Sequence, residues 1–235
     1  MDIYNNNPRN IASDDVYKSF NDFIFSSDIK VLGKLLYRHD FFLKTKDLPG
    51  DIVEMGVFKG SGMATFSKFI NIYSPNSNKK VVGFDIFEDN NCLNEYNEND
   101  RKQMTDIYSR VDINDRKLEV IDKKLNNVTN NKNHLLISGD CKDTLPKFIA
   151  ENPGFRISML YIDVDLEAPT YYALKYLWDR VLPGGIIVFD EYEYHSFSES
   201  CGVDKFLKEN NIKYCVKSTN WMAPTAFIVK ASTVA

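Results

Sequence analysis

Residues 158–192 read SMLYIDVDLEAPTYYALKYLWDRVLPGGIIVFDEY. Two short apolar runs, 158–162 and 185–189, both stop at acid: Asp163 and Asp165 after the first, Asp190 and Glu191 after the second. Between them Tyr172, Leu174, Leu177, Trp178 and Val181 recur at close to helical spacing, and Leu182-Pro183-Gly184-Gly185 supplies a stop. Strand, helix and strand in so short a compass form a βαβ unit with parallel strands. Its right-handed crossover brings both acidic ends to one edge of the sheet. On neighbouring strands about 4.8 Å apart, Asp163, Asp190 and Glu191 then converge. Converging carboxylates repel, so they need protons or a cation among them. Oxygen-only donors suit Mg2+, Mn2+ or Ca2+ better than zinc. The plainer alternative is that acids at strand ends are solvated or cap the next helix.

The chain on either side repeats the pattern. Residues 51–70, DIVEMGVFKGSGMATFSKFI, read as a strand over 52–57, a turn at Gly56, Gly60 and Gly62, and a helix facing inward with Met63, Phe66, Phe69 and Ile70. A glycine turn between strand and helix lets a ligand approach bare backbone. Its spacing is neither the dinucleotide fingerprint nor a P-loop. Glu54 lies inside the strand, where it can hold a cationic amino group or serve a nearby helix N-terminus. KVVGFD at 80–85 and HLLISGD at 134–140 are two more strands ending in acid, at Asp85 and Asp140. An acid at the end of the second strand commonly takes ribose hydroxyls, and ligands of open α/β sheets sit outside the carboxyl ends of the strands.

Before this core, Val16, Phe20, Phe23 and Ile24, then Val31, Leu32, Leu35 and Leu36, mark two short helices after a loose arm at 1–14. These helices suit a lid or a homodimer contact, with their Tyr and Phe side chains in the core. Residues 88–133 are polar and break the alternation; a helix is expected over 101–125, and the segment reads as a lid insertion over the active-site edge. After Glu191, His195 lies on a loop at that same edge. A helix through Val203, Phe206 and Leu207 and strands at 213–217 and 225–229 close the chain as a hairpin.

The whole is an α/β fold: a doubly wound, mostly parallel, seven-stranded Rossmann-like sheet with an antiparallel last strand. Residues 1–50 form the arm and N-terminal helices, and 51–235 the catalytic domain. Twenty-nine basic and 33 acidic residues are spread evenly for a net charge of −4, and no basic stripe points to nucleic acid. A polar start and no long apolar run imply neither leader nor membrane span, hence a cytoplasmic protein. Cys92, Cys141, Cys201 and Cys215 are too scattered for a zinc knuckle or a disulfide framework.

The blocks VEMGVFKGS (53–61), GFDIFE (83–88), GDCKDTL (139–145), IDVDLEAPT (162–170) and PGGIIVFDEY (183–192) together resemble the class I S-adenosylmethionine-dependent methyltransferases. Within them the chain is similar to the macrocin O-methyltransferase family, which methylates sugar hydroxyls with Mg2+. That resemblance implies that Glu54 holds the amino group of the methionine part, with Gly56, Gly60 and Ser61 alongside. It gives Asp85 the ribose, Asp140 the adenine amino group and Cys141 a place beside the ring. It gives Asp163, Asp190 and Glu191 the metal, although the family's last block usually ends in two Asp.

Methylation of a neutral hydroxyl also needs a base. Asp165 is preferred over His195, because period-2 geometry sends Asp165 the same way as Asp163 if the strand persists. The expected partner is a small-molecule hydroxyl acceptor, a sugar. Two rival readings are a nicotinamide-dependent dehydrogenase, which lacks its glycine motif here, and a catalytically silent cofactor-binding homologue.

Overall fold

A computed structural model describes residues 14–128 and 133–231. The loose arm expected at 1–14 lies, but for Asp14, outside the described residues. Helices α1 (Asp14–Ile24) and α2 (Lys30–Thr45) precede β1 (Asp51–Met55), α3 (Ser61–Tyr73) and β2 (Val81–Asp85). Then come α4 (Glu98–Ser109), α5 (Leu118–Val128), β3 (His134–Ser138), α6 (Cys141–Glu151), β4 (Ile157–Ile162), α7 (Glu167–Leu177), β5 (Val181–Phe189), α8 (Glu199–Glu209), β6 (Lys217–Ser218) and β7 (Ala226–Val229).

The sheet order is β3-β2-β1-β4-β5-β7-β6. All neighbours from β3 to β5 run parallel, and β7 is antiparallel to both β5 and β6. The order reverses between β1 and β4, the switch point where open α/β sheets bind ligands. The central strands are buried on both faces, which is why they read as unbroken apolar runs rather than alternating ones. On one face Val53, Leu160, Ile162, Ile187 and Phe189 meet Leu145 of α6, Leu174 of α7 and Phe206 of α8. On the other, Ile52, Met159 and Val188 meet Phe41 and Phe42 of α2, Phe66 of α3 and Ile121 of α5.

Four local expectations change. The single helix expected over 101–125 is two, broken at 110–117. There Asp112 accepts from Asn114 N (2.9 Å) and the buried Arg116 turns inward to donate to Phe87 O (2.8 Å). α5 then packs in the core as the crossover helix between β2 and β3, which leaves the stretch from 91 to 116 outside the alternation. The strand expected from 213 shrinks to Lys217–Ser218, and Tyr214 instead packs edge-on to Trp178, with ring centres 5.1 Å apart. The stop expected at Leu182–Gly185 lies inside β5: Val181 pairs with Ile157, and the ladder resumes only at Met159 and Ile186. Lastly, the Tyr and Phe side chains of the N-terminal helices divide. Tyr17 and Phe20 of α1 are 65% and 56% exposed, whereas α2 buries Phe41 and Phe42 with Gly33, Arg38 and Thr45.

Candidate active site

β1, β4 and β5 lie side by side, and the backbone ladder carries one step past their ends. Asp163 N donates to Met55 O (2.9 Å) and Asp190 N to Ile162 O (3.0 Å). The two acids are therefore presented together at the carboxyl edge. Two glycines make the closeness possible. A Cβ on Gly56 (φ +87°) would lie 1.9 Å from Asp163 O, and one on Gly62 would lie 1.7 Å from Glu54 Oε1. Glu54 thus reaches the first turn of α3, where a carboxylate is favoured by the helix dipole.

Cations arrive from α2. Lys30, Lys34 and Arg38 are spaced by four, so they share one helix face. Lys34 Nζ donates to Asp163 Oδ2 (2.8 Å) and to Asp190 Oδ2 (2.7 Å). Arg38 Nη2 donates to Glu54 Oε1 (3.3 Å), stands 3.6 Å from Asp163 Oδ2 and stacks over Tyr161 at 4.9 Å. Tyr161 OH donates to the second oxygen of Asp190 (2.6 Å). Lys30 Nζ is 3.7 Å from Glu191 Oε1. α2 is held in place by Tyr37 OH donating to Thr219 O (2.6 Å) and by Gly33, where a Cβ would strike the Trp221 ring.

The acids outnumber these cations among the described residues, and burial raises Glu54, Asp165, Asp190 and Glu191. Glu54 is pushed up to about 7 by burial, against the pull of Arg38. Asp165 also rises to about 7, through burial and then the charges of Asp163 and Asp190. Glu191 rises to about 8 through burial and Asp190, opposed by Lys30. Burial lowers Lys34 and Arg38, but the surrounding acids outweigh it and hold both above their ordinary values.

A cavity of about 610 Å³ opens over this edge, lined by Glu54, Gly56, Asp85, Cys141, Asp163 and Asp165, among others. That volume suits a small ligand or cofactor. Phe23, Val31 and Leu35 from the N-terminal helices and Met104 and Tyr108 from α4 border it as well. The α4 wall is tied to the floor: Ser198 Oγ donates to the buried Asp100 (2.7 Å), while Ser198 N donates to Asp165 O (3.1 Å).

The expected residues fall into three groups. Glu54, Gly56, Ser61, Asp85, Cys141, Asp163 and Asp165 border the cavity. Asp85 accepts from Phe58 N (2.8 Å) and Phe87 N (2.7 Å), which turns the loops around it inward. Asp140 caps α6 through Lys142 N (2.8 Å), and Gly60 precedes α3 in a left-handed conformation. Asp190 and Glu191 are buried just behind, with Glu191 N donating to Glu199 Oε1 (2.9 Å).

The two candidate bases differ in placement. Asp165 shares the cavity with Asp163, but not by strand periodicity: β4 ends at Ile162, and Asp165 sits at φ +63°, a turn conformation. His195 is solvent-exposed on the loop after Glu191 and does not line the cavity. Lys34, Arg38, Tyr161 and Glu199 belong to the site and were not foreseen. The signal for the first two was the four-residue spacing of basic residues on α2.

Among the described residues no three His, Cys, Asp or Glu side chains form a metal cluster on their own; Asp163 and Asp190 converge on the Lys34 ammonium. Carboxylate oxygens gathered about a single cation are the kind of donor a hard divalent ion takes, so the chemistry of these two residues fits one. No described helix is long and apolar enough to cross a membrane, and all four cysteines are free.

A family model described as macrocin-O-methyltransferase (TylF) matches residues 41–227. No curated protein matches. Among solved structures the chain is similar to CalS11, a calicheamicin methyltransferase, with 22% identity, a TM-score of 0.74 and 94% of this chain and 86% of that one covered. The apo form, described as a TDP-rhamnose 3'-O-methyltransferase, gives 22% identity and a TM-score of 0.67 over 94% and 87% of the two chains. The O-methyltransferase NovP gives 21% and 0.69 over 87% and 81%. These likenesses establish the fold.

Proposed function

The chain belongs to the macrocin O-methyltransferase (TylF) family and is an S-adenosylmethionine-dependent O-methyltransferase, and from that premise we propose that it methylates a hydroxyl of a sugar or sugar-bearing small molecule with the help of a divalent cation. The setting would be natural-product or nucleotide-sugar biosynthesis. What carries this reading is the pairing of a cofactor-sized cavity with two carboxylates gathered about one cation. The rhamnose specificity in the description of CalS11 supports a sugar acceptor.

In this reading Glu54 holds the amino group of the methionine part beside Gly56, Gly60 and Ser61. Asp85 takes the ribose. Asp140, whose carboxylate has capacity beyond its cap bond, and Cys141 flank the adenine. The cofactor supplies a sulfonium methyl. The acceptor oxygen must lose its proton as its new bond to carbon forms and the carbon–sulfur bond breaks. Asp165 takes that proton. A base near 7 is well matched to the task at neutral pH, strong enough to pull yet ionised in about half of the molecules. Asp163 and Asp190, with Glu191 behind them, would hold Mg2+ or a similar ion, whose charge lowers the pKa of a bound hydroxyl and fixes its direction.

Titration calorimetry with S-adenosylhomocysteine, with and without Mg2+, on wild type and Asp163→Ala tests this. We expect S-adenosylhomocysteine binding at about micromolar Kd to survive the substitution and metal binding to be lost. Absence of S-adenosylhomocysteine binding would remove the cofactor assignment.

A further inference from the structure

We infer that Lys34 is a tethered cation standing in the divalent-ion position, and that it must leave before the ion can bind. The inference rests on the metal reading above. Lys34 Nζ occupies Asp163 Oδ2 at 2.8 Å and Asp190 Oδ2 at 2.7 Å. An ion of Mg2+ size needs oxygens at about 2.1 Å, so the ammonium and the ion cannot share the two oxygens. The other oxygen of Asp190 is already taken by Tyr161.

The exchange needs no movement of the helix. The Lys34 side chain is 23% exposed and borders the cavity, into which it can swing. α2 stays anchored by Arg38 on Glu54, by Tyr37 on Thr219 and by Gly33 against Trp221. In the metal-free protein, Lys34 keeps the buried Asp190 and the half-buried Asp163 from facing each other bare. The same contact weakens the affinity for the ion, since the ion must first displace a paired ammonium.

The test is Mn2+ titration without cofactor, followed by the electron paramagnetic resonance signal of the free ion. The proteins are wild type, Lys34→Met, Lys34→Arg and Asp190→Asn, each checked for folding by circular dichroism. Methionine keeps the length and the apolar stem without the charge. We expect Lys34→Met to bind one Mn2+ at least about tenfold more tightly than wild type, Lys34→Arg no more tightly, and Asp190→Asn not at all. Equal or weaker binding by Lys34→Met overturns the inference and leaves the metal site standing. Absence of binding in both wild type and Lys34→Met overturns the metal reading and this inference with it. Thermal melting is the second readout: without metal, Lys34→Met should melt below wild type, and Mn2+ should close the gap. A variant melting at or above wild type without metal overturns the inference too. If Lys34→Met does not fold, Lys34→Gln carries the same test.

Discussion

The two edges of the sheet both bury charge, and they treat it in opposite ways. At the amino edge, Lys79 is 7% exposed and its ammonium donates to Leu48 O (3.0 Å), Gly50 O and Ser158 Oγ (2.7 Å). Three donors meet three acceptors. At the carboxyl edge, the acids Glu54, Asp163, Asp165, Asp190 and Glu191 face, among the described residues, the three cations Lys30, Lys34 and Arg38. Buried Glu54 Oε2, Glu191 Oε2, Glu199 Oε2 and Arg38 Nε have no hydrogen-bond partner there among the described residues. A satisfied buried charge is scaffold. An under-satisfied cluster costs stability and is kept where a ligand or a reaction uses it.

The sharpest way to break this contrast is Asp165→Asn. Asparagine tolerates the left-handed backbone at this position, so the fold should hold while turnover falls about 10²- to 10⁴-fold, as loss of a general base does. Rates of methyl transfer alongside melting curves check it; a large drop in melting temperature with turnover retained would make this edge scaffold as well. Lys79→Met should do the reverse. It strands Leu48 O and takes one bond each from Gly50 O and Ser158 Oγ, which still bond each other, so it costs about 2 kcal/mol and lowers the melting temperature by several degrees, with S-adenosylhomocysteine affinity unchanged.

The pH dependence sharpens the same comparison. Glu54 rises from 4.5 to about 7 in the folded protein, so its contribution is present below 4.5 and is lost as pH climbs through 7. Burial lowers Lys79 from 10.5 to about 8, so between those values the unfolded chain holds the extra proton and stability rises with pH. Its three acceptors favour the charged form and blunt that rise. The ligand-free protein should therefore be least stable near pH 7–8 in denaturant titrations. Glu54→Gln should flatten the acid-side arm and Lys79→Met the alkaline one. The smallest effect is expected of Tyr37→Phe, which loses the bond to Thr219 O and about 1 kcal/mol, seen as faster amide exchange in α2.

Much of the site was legible because its signals are local. A strand ending in acid, or a glycine between strand and helix, is written in a handful of consecutive residues, and the crossover rule does the rest. The unforeseen parts depend on distant contacts. The spacing of Lys30, Lys34 and Arg38 is visible in the sequence, but Val31, Leu35 and Leu36 compete with it as the inward face. Gly33 against Trp221, nearly the length of the chain away, settles the matter. Tyr214, Cys215 and Val216 have strand-like preferences, yet Trp178 draws Tyr214 out of the ladder.

The sequence alone determined the alternation of strands and helices, the parallel sheet and the acidic carboxyl edge, because apolar periodicity and chain handedness act over short range. Only the tertiary structure decided what those acids meet: Lys34 between Asp163 and Asp190, Arg38 on Glu54, Glu199 behind Glu191, and His195 turned out to solvent. A direct ion pair needs its partners within about 4 Å, so it is set by which surfaces dock, and docking is a property of the packed whole.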